Sequence, residues 1–153
     1  MDDLKYAFIS KEYLPLLKYL PADAKGKWGK MNGQQMVEHL TDFFAVSTGK
    51  IKFELFTLEE HLPKYREFLF SDKEFRENTK APVLPDEPLP LKFATMQEAL
   101  KALDNEVKDF IDQFTNNDKL VRLHPVFGEL NFDEWVLLHY KHITHHFRQF
   151  ALL

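Results

Sequence analysis

The chain has 153 residues, a net charge of -4 and a pI near 6.0, and it contains seven histidines and no cysteine. That length favours one domain with a sizeable core, taken here as residues 1–153. The acidic balance argues against nucleic acid as a partner, and the missing cysteines exclude disulfides and thiolate sites.

The first residues, Met1-Asp2-Asp3, lack the basic and apolar pattern of a signal peptide. No apolar run approaches the roughly 20 residues that span a bilayer. The expectation is a cytoplasmic protein with no membrane partner. Fifteen phenylalanines point to an aromatic-rich core.

In chain order, a first helix is expected near residues 10–20, with Pro15 in its first turn or kinking it. A second is expected over 32–48: Asn32 and Gln35 have capping-box spacing, Met36, Leu40, Phe43 and Phe44 form an apolar face, and Gly49 can end it. Residues 51–56 alternate partly but have no convincing partner strand. A short helix fits 63–75, with Pro63 in its first turn. Residues 81–90 carry Pro82, Pro85, Pro88 and Pro90 and read as a loop.

The clearest helix is 95–115. Met96, Leu100, Leu103, Val107, Phe110 and Phe114 recur four and three apart, behind a Thr95–Glu98 box. The last helix is expected from Asn131 to the C-terminus, with Glu134 completing another box and Leu130 placed to staple onto Trp135. The class is all-α, with a helical bundle as the default packing and a long insert, residues 51–90, between helices 2 and 3.

Four histidines fall within eight residues of the last helix: His139, His142, His145 and His146. At about 100° per residue, His146 lies about 40° round from His142 and Trp135 about 20°, so the pair stacks on an inward face. Imidazoles four apart can reach one ion at about 2.0–2.1 Å. His39, beside the apolar stripe of the second helix, is the candidate third ligand. A His-x-x-x-His pair alone is also compatible with ordinary packing or a favourable helix C-terminus. His61 reads as a surface residue.

The runs Trp28-Gly29-Lys30-Met31 and Gln34-Gln35-Met36-Val37-Glu38-His39-Leu40 resemble the second-helix motif of DinB-like proteins. His124-Pro125-Val126-Phe127-Gly128, Trp135 and the terminal His142-x-x-x-His146-x-x-Gln149 resemble the DUF1569 branch of that superfamily. The resemblance implies a four-helix bundle of the DinB-like type. It also implies one divalent metal ion, nickel or zinc, on His39, His142 and His146. It is similar, more widely, to metal-dependent thiol S-transferases, thiol-dependent isomerases and hydrolases, which implies a small-molecule substrate and a low-molecular-weight thiol as candidate partner. A homodimer is one candidate assembly, and the oligomeric state is left open.

Gln35, one turn before His39, reads as a group to orient a ligand, and Asp42 as an acceptor for a ligand ring nitrogen. Both also read as polar helix surface. Gln149 belongs to the same group of supporting candidates. His139 reads as an acid–base group or a packed histidine, His124 as pocket lining or loop packing. Two functional readings stand: a metal-dependent hydrolase or thiol transferase, and a non-catalytic bundle stapled by its metal, acting as a binding or interaction protein. A closed site with a fourth protein ligand marks the second, an open position the first.

Overall fold

A computed structural model describes residues 1–153, of which 52% are helical, with one two-stranded sheet. Helix α1 covers residues 3–16, α2 Gly33–Ser47, α3 Leu62–Phe70, α4 Met96–Asn116 and α5 Phe132–Gln149. Strands β1 (Arg122–His124) and β2 (Gly128–Leu130) form an antiparallel hairpin, with Arg122 opposite Leu130 and His124 opposite Gly128. No helix is long and apolar enough to cross a membrane.

Helix α1 starts earlier than its sequence suggested. Asp2 caps it, accepting from the Lys5 amide at 3.1 Å. Residues Phe8–Glu12 form a π turn, in which the Tyr13 amide bonds back to the Phe8 carbonyl. Pro15 is therefore in the final turn rather than the first, where it has no amide for the helix ladder. The wider turn before it presents Ile9, Tyr13 and Leu17 to the core, all fully buried.

At α2 the reciprocal cap forms in full: Asn32 Oδ1 accepts from the Gln35 amide at 2.8 Å, and Gln35 Oε1 accepts from the Asn32 amide at 2.9 Å. Gly49 follows the helix end with φ +78°, the left-handed geometry that suits glycine there. The two other expected boxes form only by half. Thr95 caps α4, but Glu98 reaches the Ala94 amide, at 3.3 Å. Asn131 caps α5, while the Glu134 carboxylate takes both nitrogens of Arg66 on α3, at 2.8 and 3.1 Å. A cationic fork outcompetes a neutral amide for a buried carboxylate.

Helix α4 buries Met96, Ala99, Leu103, Val107, Phe110 and Phe114, while Leu100 is only half-buried. It packs most extensively against α2. Helix α5 is buried over most of its surface, contacting α1, α2, α3 and β2. Its inward surface is thus not one stripe: Lys141, Thr144 and His145 are buried along with Trp135, Leu138 and His142. A single apolar cluster of 23 buried residues runs from Ile9 to Phe150.

The hairpin was invisible to periodicity, because three-residue strands are too short to alternate detectably. Its turn is braced by His124 Nδ1, which accepts from the Val126 and Phe127 amides at 3.0 and 3.2 Å. Residues 51–56 form no strand; instead the Phe56 amide and the Thr57 hydroxyl bond to the Pro125 and Val126 carbonyls. Helix α3 stops at Phe70, short of the expected 75. The buried Lys141 ammonium donates to the Ser71 and Lys73 carbonyls just beyond it.

Residues 81–90 contain no helix, and the chain after them is fastened to α2. Glu38, 6% exposed, accepts from the Lys92 amide at 2.6 Å and from Gln34 Nε2 at 3.0 Å. Gln34 Nε2 also donates to the Phe93 carbonyl. Glu38→Ala should cost about 1–3 kcal/mol in urea unfolding, because it removes the buried carboxylate that accepts from both the Lys92 amide and the Gln34 side chain. Hydrogen exchange at Lys92 should accelerate along with it; an unchanged Lys92 amide would show that the strap is held by other contacts.

Candidate metal centre

Helices α2 and α5 bring three imidazoles to one point. His39 Nε2 lies 2.9 Å from His142 Nε2, and His142 Nε2 lies 3.1 Å from His146 Nε2. The three donor nitrogens lie within 4.8 Å of one another, with no cysteine or carboxylate joining the group. His142 and His146 are 8% and 7% exposed, and His39 is half-buried.

The supporting contacts fix where the protons are. Gln149 Nε2 donates to the Trp28 carbonyl at 2.8 Å, which turns Gln149 Oε1 towards His146 Nδ1 at 2.7 Å. An amide oxygen only accepts, so His146 carries its proton on Nδ1 and presents a bare lone pair at Nε2. The two contacts between ring nitrogens can then share at most one proton. A cation would satisfy all three lone pairs at once, so the donor set fits a divalent metal with imidazole preference.

Burial lowers the pKa of each of these histidines. His39 is pushed down to about 4, with the Asp42 carboxylate opposing the effect. His142 and His146 lie well below the ordinary value, first through desolvation and then through repulsion from neighbouring imidazoles. The neutral form, the one that ligates, is therefore the resting form near pH 7.

Phe43, one turn after His39, stacks on the His142 ring with centroids 3.9 Å apart and planes at 29°. Its neighbours on the far side are His124 and His139, each with ring centroids 5.4 Å away. These two histidines belong to that aromatic wall. His124 braces the hairpin turn, as above. His139 is fully buried, stacks on Phe44 at 3.7 Å and meets the Ser47 hydroxyl at 2.9 Å. Ser47 donates its own proton to the Phe44 carbonyl, so His139 Nε2 is the donor in that pair.

The remaining supporting candidates have other partners. Gln35 holds the α2 cap, and Asp42 pairs with Lys92 Nζ at 2.5 Å. His61 lies on an exposed turn beside Glu60. His145, next to His146 with ring centroids 5.0 Å apart, packs between Trp28 and Phe75. Sequence reasoning missed Phe43 and the Trp28 carbonyl as site components. The spacing of Phe43 from His39 was a usable signal for the first; nothing local could have found the second.

The protein is mostly helical, and two of its helices bring three imidazoles close enough together to hold a metal ion. The chain belongs to the family DUF1569, a protein family of unknown function, whose model matches residues 16–152. No curated protein and no solved structure matches it.

Proposed function

We propose that this DUF1569 protein is a metal-dependent enzyme, a hydrolase or thiol S-transferase, using one divalent ion, nickel or zinc, on His39, His142 and His146. The observation that carries the reading is the convergence of three Nε2 atoms, with His146 held in its ligating tautomer by Gln149. In this reading α1, α2, α4 and α5 make up a DinB-like four-helix bundle in one domain, and α3 belongs to the insert.

When bound, such an ion supplies Lewis acidity and lowers the pKa of a coordinated water or thiol. The chain supplies the rest. Three neutral imidazoles would leave the ion's charge uncompensated, and the absence of a fourth histidine or carboxylate in the cluster leaves room for a small ligand. Phe43 restrains the His142 ring and, with Trp135, walls the cluster from the core. With no cysteine in the chain, any thiol must arrive with the substrate.

Elemental analysis of untagged protein tests the reading first, with about one nickel or zinc per chain expected. A cobalt-substituted form should then change its absorption spectrum when a small thiol or a chelating anion is added, without releasing the metal. A saturated, unresponsive site would count for the structural staple. Failure to bind any divalent cation would sink both.

A further inference from the structure

We propose that Gln149 is a positioning residue for the cluster, and that the loop Gly26-Lys27-Trp28-Gly29 is the clamp that sets it. The inference rests on the metal reading above but makes a separate claim: a loop far from His146 in sequence decides which His146 nitrogen is free to bind a cation.

A neutral imidazole has two tautomers, and only one leaves Nε2 bare. The Trp28 carbonyl can only accept, so it dictates the orientation of the Gln149 amide, and the amide in turn dictates the His146 tautomer. Gln149 is itself 3% exposed and cannot exchange this arrangement readily with solvent.

The loop is built around that side chain. The Lys27 amide donates to the Gln149 carbonyl at 2.7 Å, so backbone and side chain of one residue are both gripped. Gly29 has φ +75°, and a β-carbon there would lie 2.8 Å from Gln149 Nε2. A β-carbon on Gly26 would lie 2.8 Å from the Trp28 oxygen and 2.9 Å from Gln149 Cγ. Both glycines therefore let the backbone approach the amide closely. The Trp28 ring lies beside His145, with centroids 5.5 Å apart, which adds a second contact between loop and α5. By linkage, a loop that favours the ligating tautomer is itself stabilised by the cation.

The test pairs zinc titrations with long-range proton–nitrogen NMR of His146 in metal-free protein, comparing wild type, Gln149→Leu, Gln149→Glu and Gly29→Ala. Wild type should show the proton on Nδ1. Gln149→Leu should lose that preference and bind zinc about 10–100-fold more weakly, as removal of an outer hydrogen-bond partner does. Gln149→Glu retains the acceptor while losing the donor to Trp28, so it should keep the Nδ1 proton and recover most of the affinity. Gly29→Ala, which alters no group touching a histidine, should weaken zinc in the same direction as leucine. A wild-type proton on Nε2, or a leucine variant with unchanged tautomer and affinity, overturns the proposal. A wild type that binds no zinc yet shows the Nδ1 proton, lost in Gln149→Leu, would overturn the metal reading while supporting the positioning role.

Discussion

Alanine at His142 or His146 is expected to abolish stoichiometric binding of nickel or zinc, as measured by elemental analysis after dialysis. Each contributes one of only three converging nitrogens, and no other histidine, cysteine or carboxylate in the cluster is close enough to substitute. The loss should exceed the roughly 10–100-fold that removing an outer partner costs, because a two-imidazole remnant is left. His39→Ala should do the same from the other helix. His145→Gln is the stringent control: its ring adjoins His146 but lies outside the converging set. His61→Ala is the distant one. A protein that kept its metal without His142 and lost it without His61 would refute the assignment.

The metal-free protein should lose stability steeply as pH falls from about 6.5 towards 4.5, read as the urea midpoint at successive pH values. His124 shows the reason most simply. In the unfolded chain it takes a proton near pH 6.5; in the fold, burial pushes its pKa down to about 3. Between those values the unfolded state binds more protons, so stability rises with pH across the window. The contribution is fully present above the unfolded pKa and is lost as pH falls towards the folded one. At about 1.4 kcal/mol per pH unit, one such histidine contributes on the order of several kcal/mol. His39, held down to about 4, and the more deeply buried His139 act in the same direction. His124→Asn should flatten the slope, because an amide oxygen can replace Nδ1 as acceptor for the turn amides without titrating. A midpoint constant from pH 7.5 to 4.5 would contradict the assignment.

Much of the helical framework was readable locally. The spacing of apolar residues and the caps at Asn32, Thr95 and Asn131 placed two helices within a residue at both ends and the start of the last, which stops at Gln149 instead of running to the C-terminus. The i, i+4 relation of His142 and His146 follows from helix geometry alone. The two capping glutamates show where local reading ended. Glu98 and Asn131's partner Glu134 have the same spacing from their caps, yet Glu134 is claimed by Arg66 from another helix. A spacing rule cannot register a competitor 68 residues away.

What the sequence by itself determined was a cysteine-free helical chain with two histidines on adjacent turns and a third on another apolar helix. Its local signals suffice for this because caps and helical stripes act over three or four residues. Tertiary structure decided that α5 is packed against four other elements, which buries His139 and His145 as well as His142 and His146. It gave Asp42 to Lys92 and Gln149 to a carbonyl 121 residues earlier. Those partners depend on how the helices and loops pack, and for the buried Gln149 amide a partner had to be found within the protein.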